Sequence, residues 1–427
     1  MKKYFKVFTL ISVLFLSACG GSSSGSNDSN NDSGPIDLSN YDSTAFITTW
    51  KTDNSGSSND DQITILTSTS DQNYTVDWGD GSQSTGVTGE ITHTYATTGT
   101  YIVVITGDFK NIKFGTGTDS DKLLSVEQWG DTQWSTMGNA FNGCENLVLN
   151  ATDAPDLSQV TSLGYMFNAA KSVNSDLNHW DVSNITSMGG TFKGASAFNG
   201  DVSQWDVSSV TNMSHMFDQA RAFNGNLSQW DVSSAEDMSF MFYLTDIFNG
   251  DLSLWTVSSV EDMSYMFSNA IVFNNNISTW DVSSVTSMEQ MFTNTMAFNN
   301  DISGWDVSSV TNMNQMFYNA DAFNRDIGSW VTSSLESTKQ MFSNADLFDQ
   351  DIGGWDVSLV TDMYFMFYAS ELSTANYDAL LNGWSSQALQ SDVDFHGGHS
   401  TYSTAAETAR STLINTYGWS ISDGGLQ

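Results

Sequence analysis

The chain has 427 residues and sets 13 Lys and Arg against 49 Asp and Glu, a formal net charge of −36 at neutral pH. Such an acidic chain is repelled by nucleic acid and by anionic lipid, which excludes both as partners drawn by charge. A hydrophobic share of 39%, with 14 Trp and 26 Phe, excludes a disordered acidic chain, because that much apolar surface demands a core.

Lys2, Lys3 and Lys6 open the chain, and residues 7–16 are almost wholly apolar. The run is too short to span a bilayer and ends in Leu16-Ser17-Ala18-Cys19, so residues 1–18 read as a removable signal peptide. Small residues before a cysteine resemble the lipobox of bacterial lipoproteins. That resemblance implies cleavage before Cys19, lipid on its sulfur, and display on a bacterial cell surface (the outer membrane in a Gram-negative cell). No later apolar run is long enough to cross a membrane, so lipid is the expected anchor. Gly, Ser, Asn and Asp dominate the stretch after Cys19, and residues 19–41 read as a lipidated, hydrated tether. With Cys19 acylated, Cys144 is the one thiol left and no intramolecular disulfide can form.

Residues 42–112 read as a small β-domain. Ile63-Thr64-Ile65-Leu66, Tyr74-Thr75-Val76-Asp77-Trp78 and Tyr101-Ile102-Val103-Val104-Ile105 follow strand patterns, separated by Gly79-Asp80-Gly81 and Thr98-Gly99. Val76-Asp77-Trp78-Gly79-Asp80-Gly81-Ser82, with Thr92-His93-Thr94-Tyr95 and Gly99-Thr100-Tyr101, resembles the polycystic-kidney-disease-type β-sandwich. The resemblance implies a spacer or weak glycan-binding module. Asp77 and Asp80 fit either a hairpin turn that needs Asp-Gly or a calcium or catalytic pair.

After an opening repeat and cap at 113–150, residues 151–372 carry a 25-residue period. Trp recurs at 180, 205, 230, 255, 280, 305, 330 and 355, and Phe at every twenty-fifth position from Phe167 to Phe367. A fixed period of this length predicts a solenoid whose units bury their apolar faces only by stacking. Within residues 201–225, Trp205 and Val207 have the spacing of a short strand. Val210, Met213, Phe217 and Ala220 step by three and four, as two turns of helix would. The predicted fold is therefore an α/β solenoid of leucine-rich-repeat type, with short parallel strands on a concave face and short helices outside, preceded by a small all-β sandwich-like domain. Met137-Gly138-Asn139-Ala140-Phe141-Asn142-Gly143-Cys144-Glu145-Asn146-Leu147 resembles the repeat of the BspA-like bacterial surface proteins. The 25-residue unit resembles the mycoplasma-lipoprotein-type variant of that family. Cys144 falls in the small-residue column held later by Ala195 and Ala220. Residues 373–427, where the period breaks, read as a C-terminal cap with helices around Leu380–Trp384 and from Ala405 to Leu413.

If Trp and Val point inward, the residue between them is presented to solvent. That column is Asp181, Asp206, Asp231, Thr256, Asp281, Asp306, Val331 and Asp356, each followed two residues later by Ser. Stacked carboxylates repel, so either Ser hydroxyls and backbone N–H groups satisfy them, or they form a row of weak Ca²⁺ sites or a strip for a cationic partner. A second column, from Asn174 to Asn324 and closed by Asp349, reads as a structural Asn ladder. Signs of an enzyme are missing: His396-Gly397-Gly398-His399 lacks metalloprotease spacing, and there is no Walker loop or Cys-x-x-Cys. Apart from Ca²⁺ no cofactor is expected. The BspA-like resemblance implies a surface protein for adhesion to an extracellular or cell-surface protein or glycan. A structural envelope or biofilm-matrix component, and a carbohydrate-binding or glycan-degrading surface protein, are the alternatives.

Overall fold

The computed structural model describes residues 36–115 and 117–427. Cys19, the leader and most of the tether lie outside them. Residues 38–427 form a single unit with one continuous core.

Eight strands come first: β1 (Phe46–Lys51), β2 (Gln62–Ile65), β3 (Asn73–Asp77), β4 (Gln83–Val87), β5 (Ile91–Thr94), β6 (Thr100–Asp108), β7 (Leu123–Gln128) and β8 (Val148–Leu149). Six make one sheet in the order β4-β3-β6-β1-β7-β8, and β2 pairs with β5 alone. Pairing is antiparallel from β4 to β7, then turns parallel between β7 and β8. This corrects the expected sandwich-like domain: the sheet does not close, and its last edge is built by chain that leads into the repeats. β1 is buried along Phe46–Trp50 without alternation, as a central strand covered on both faces must be. Lys122 and Asp119 are fully buried beside it. The Lys122 ammonium donates to the carbonyls of Ser58, Asn59 and Gln62, while Asp119 accepts the N–H groups of Ser58 and Thr64. The pair therefore pins the loop before β2 to the turn before β7.

The repeats depart from expectation more deeply. Among the described residues, no helix and no strand longer than a single bridge lies between β8 and residue 374. The α/β solenoid is therefore overturned: each repeat is a run of tight turns. In residues 201–225 the Met216 N–H donates to Met213 O, Asp218 N–H to His215 O and Ala220 N–H to Phe217 O, at 3.2, 3.1 and 2.9 Å. His215 and Gln219 take φ of 57° and 60°, which a right-handed helix forbids and the third position of a type II turn requires. Turns closed every three residues bring Met213, Phe217 and Ala220 to one side as a helix would, so the spacing alone did not distinguish them.

The alternate amides run along the stack. Met213, His215, Phe217 and Gln219 donate to the carbonyls of Asp237, Ser239, Met241 and Tyr243 in the next repeat, at 2.7–2.9 Å. Single parallel bridges at the adjacent phase run from Ser162↔Ser187 to Ser337↔Asp362. Inside, Phe217, Phe242, Phe267 and Phe292 stack with ring centroids 5.6–5.8 Å apart. Each indole N–H from Trp205 to Trp355 reaches the carbonyl 28 residues earlier; Trp255 donates to Leu227 at 2.9 Å. Cys144 is free and buried in the first turn, and burial pushes its thiol well up.

Four elements close the far end: α1 (Thr374–Ser385), β9 (Asp394–His396), α2 (Glu407–Tyr417) and β10 (Ser420–Ser422). They imitate one more repeat. Trp384 in α1 donates its indole N–H to Ile352 O at 3.2 Å, as Trp355 does to Ile327 O, and Phe395 in β9 bridges Met363.

Trp255 is 3% exposed and stacks on Trp280. Trp255→Ala should cost about 3–5 kcal/mol through the cavity it leaves, and Trp255→Phe less, about 1–3 kcal/mol for the orphaned Leu227 carbonyl. Urea unfolding followed by circular dichroism measures both; a Trp255→Phe cost near zero would show that the indole bond contributes nothing.

Candidate interaction surface

Asp181, Asp206, Asp231, Asp281, Asp306 and Asp356 are all exposed, with Trp and Val on either side buried. The orientation matches the sequence reading, but a turn produces it rather than a strand. Each Asp Oδ1 accepts the backbone N–H of the Ser two residues on, at 2.9–3.1 Å. In three of them the Ser hydroxyl adds a 2.6 Å bond. Hydrogen bonds from Ser183, Ser233 and Ser308 hold the Asp181, Asp231 and Asp306 carboxyls below their ordinary range.

Two further rings of the same turn run beside this one. Asp201, Asn226, Asp251, Asn276 and Asp301 accept the N–H two residues on, and so do Asn212, Asp237 and Asp262. Asn replaces Asp freely in both, so these phases need an acceptor oxygen and not a charge. Among the described residues no three His, Cys, Asp or Glu side chains converge as metal ligands would. Where Thr256 interrupts the column, a notch of about 350 Å³ opens beside Asp231 and Leu254. The Asn column is a ladder in which each Oδ1 accepts the N–H of its counterpart 25 residues on, ending with Asp349 accepting Ser373 N–H.

Asp77 ends β3 and Asp80 sits in the turn that leads to β4. Asp77 Oδ1 accepts Gly79 N–H; Asp80 Oδ1 accepts Ser82 N–H and its Oδ2 lies 2.9 Å from His93 Nε2. Burial pushes Asp80 up, but the Ser82 hydrogen bonds and His93 outweigh it and hold the carboxyl at about 2. Below the sheet, Lys110 lies between Asp71 and Asp108 in a polar cleft of about 490 Å³, beside the buried Asn111. The Asn111 Nδ2 group has no partner among the described residues.

A surface the sequence reading passed over lies on the turns themselves. One left-handed position per repeat carries Tyr165, Gly190, His215, Phe240, Tyr265, Gln290, Gln315, Gln340 and Phe365. Here the side chains change from repeat to repeat, because the backbone alone makes the ladder. His215, Phe240 and Tyr265 stack at 4.5 and 4.2 Å, Tyr243 leans on Phe240, and Gln290 Nε2 donates to the Tyr265 hydroxyl. Beside this strip Asp218, 2% exposed, is held by Lys193 and His215, each at 2.7 Å. Burial raises the Asp218 carboxyl, and the His215 and Lys193 hydrogen bonds lower it further than burial lifts it. The signal that could have located these turns is Asn and Gly at the second left-handed phase: Gly194, Asn269, Asn294, Asn319 and Asn344.

Asp306→Asn should leave stability unchanged, whereas Asp306→Ala should cost about 1 kcal/mol by freeing the Ser308 N–H. Millimolar Ca²⁺ at constant ionic strength should not move the melting temperature; a rise abolished by Asp→Asn changes along the column would establish cation binding.

Asp218 is lower in the folded than in the unfolded state. Its contribution is therefore complete above the unfolded carboxyl value of about 3.9 and lost as pH falls through the folded one. Melting temperatures measured from pH 6 to 2 should fall less steeply for Asp218→Asn than for the wild type; parallel curves would refute the assignment.

Comparison with known proteins agrees with this period. The family model described as "Mycoplasma protein of unknown function, DUF285" matches three overlapping stretches, residues 135–255, 236–348 and 272–384, which together cover the stacked turns and their first capping helix. No curated protein and no solved structure matches the chain. With more than half of its length matched by that repeat, the chain belongs to the family of Mycoplasma proteins of unknown function, DUF285.

Proposed function

We propose that this chain is a lipid-anchored bacterial surface protein whose stacked turns present an adhesive face to an extracellular protein or to a neighbouring cell. One observation carries the reading: the strip His215, Phe240, Tyr265, with Tyr243, puts partly exposed aromatic rings on a backbone clamped by hydrogen bonds. Aromatic side chains held rigid give large contact area at small entropic cost. The lipobox at Cys19, the polar tether, the net acidity and the resemblance of residues 137–147 to the BspA-like surface proteins support the location. The polycystic-kidney-disease-like segment fits a spacer between anchor and array. A structural envelope or matrix component is the second reading, favoured by the uniform Asp-x-Ser rings on the other face.

Cells displaying the full chain should be retained on immobilised host-matrix protein or on one another. Phe240→Ala with Tyr265→Ala should lower retention about tenfold or more at unchanged surface amount, the loss expected when two anchor residues are truncated. Cys19→Ser should release the protein from the membrane fraction. Retention indifferent to the aromatic pair would favour the structural reading.

A further inference from the structure

We propose that the C-terminal end of the stacked turns holds a binding site for a neutral N-acetylated sugar residue, seated where the next turn would lie. The proposal goes beyond the adhesive-face reading and does not rest on it.

The site arises because the ladder stops. At one phase, eight successive amides donate forward: Ala169, Gly194, Gln219, Leu244, Asn269, Asn294, Asn319 and Asn344, each to a carbonyl of the following turn at 2.6–3.0 Å. Ala369 is next in the series and has no following turn. Among the described residues its N–H meets no acceptor, and the residue lines a cavity of about 430 Å³. The cap occupies the neighbouring phases, with Phe395 bridging Met363 and His396 O accepting Phe367 N–H. It then turns away at Gly398, where φ is 68° and a Cβ would strike the Ser370 and Phe367 carbonyls. The Ala369 N–H is thus left pointing forward with no acceptor among the described residues.

The walls suit a sugar. Tyr368 is 46% exposed and lies 4.9 Å from Phe365, which stacks on Tyr364 at 4.0 Å. Of these rings Tyr368 lines the cavity, and with Phe365 packed against it offers a face to the C–H side of a pyranose. His396 stands edge-on to Phe365 and Tyr368. Its Nδ1 accepts Gly398 N–H, so in the neutral ring Nε2 carries the proton and donates. Burial holds His396 below its ordinary value, which favours that neutral form. Ser422 and His399 add groups that both donate and accept. Asp423 also borders the cavity, but Arg410 grips it at 2.8 and 3.2 Å and the Tyr377 hydroxyl donates to it. Its charge is therefore already met.

An acetamido carbonyl reproduces what Ala369 lacks, the peptide carbonyl of a next turn. A peptide strand would need the adjacent ladder positions, which β9 fills. An acidic sugar would meet a chain of net charge −36 with no unpaired cation in the cavity.

Saturation-transfer NMR on the full chain in detergent, with N-acetylglucosamine and glucose as probes, tests this. Transfer to the acetyl methyl and ring protons of N-acetylglucosamine is expected, with glucose about tenfold weaker for want of the carbonyl. Tyr368→Ala should abolish the signal at unchanged melting temperature, and Phe240→Ala, far along the stack, should preserve it. Should Tyr368→Ala fold poorly, Ser422→Ala serves instead and should weaken transfer. Absence of transfer to both sugars, equal transfer to both, or transfer that survives these substitutions would overturn the proposal.

Discussion

The hydrogen bonds between turns bear on everything else in this protein. Two residues of every repeat sit in the left-handed region, and most are not glycine: Tyr265 and Asn269, Gln315 and Asn319. Each such residue costs roughly 1–2 kcal/mol. Nothing within the repeat offsets that, because the bonds closing each turn are worth only about 1 kcal/mol apiece. The balance is restored across the interface, where four amides, an indole N–H and two Phe rings all find partners in the neighbouring repeat. A single repeat would therefore be unstable, and the 25-residue register is fixed by backbone geometry as much as by core packing.

This division of labour accounts for which columns are uniform and which vary. On the turn face the backbone makes the ladder, so side chains there are free to be Tyr, His, Phe or Gln. On the Asp-bearing face the side chains themselves supply the acceptors. Ser208, Ser283 and Ser308 need an oxygen two residues upstream, and Asp recurs there for that reason. Repetition is thus a mark of structural duty in this chain, and variation marks the surface free for recognition. The acidic column, prominent in the sequence, belongs to the first class.

Burial was readable from the sequence and conformation was not. Trp205, Val207, Val210, Met213 and Phe217 are buried and Asp206 is exposed, as their spacing indicates. Spacing of three and four also fits a chain of turns, however, and only Gly194 and the Asn269-to-Asn344 column hint at left-handed backbone. The passage from sheet to stack depends on β7 pairing with β8 across the 19 residues between them, which no local pattern encodes. The cavity at Ala369 is less readable still. It exists because the stack ends, and His396 and Ser422 reach it from a cap with no period to read.

The ladder has a further consequence, for polarity. In residues 212–219 the peptides between Asn212 and Met213, Ser214 and His215, Met216 and Phe217, and Asp218 and Gln219 all point their N–H forward and their C=O back. The Thr211, Asn212 and Ala222 amides and the Trp205 indole point the other way, toward carbonyls of the preceding repeat. Ordinary parallel strands alternate and cancel; these planes add, as in a helix but with the opposite sense relative to chain direction. The stack is therefore a bundle of aligned dipoles with its positive pole at the C-terminal end. Its two ends are thus chemically unlike, and oxygen-rich groups are drawn to the end farthest from Cys19 in the chain.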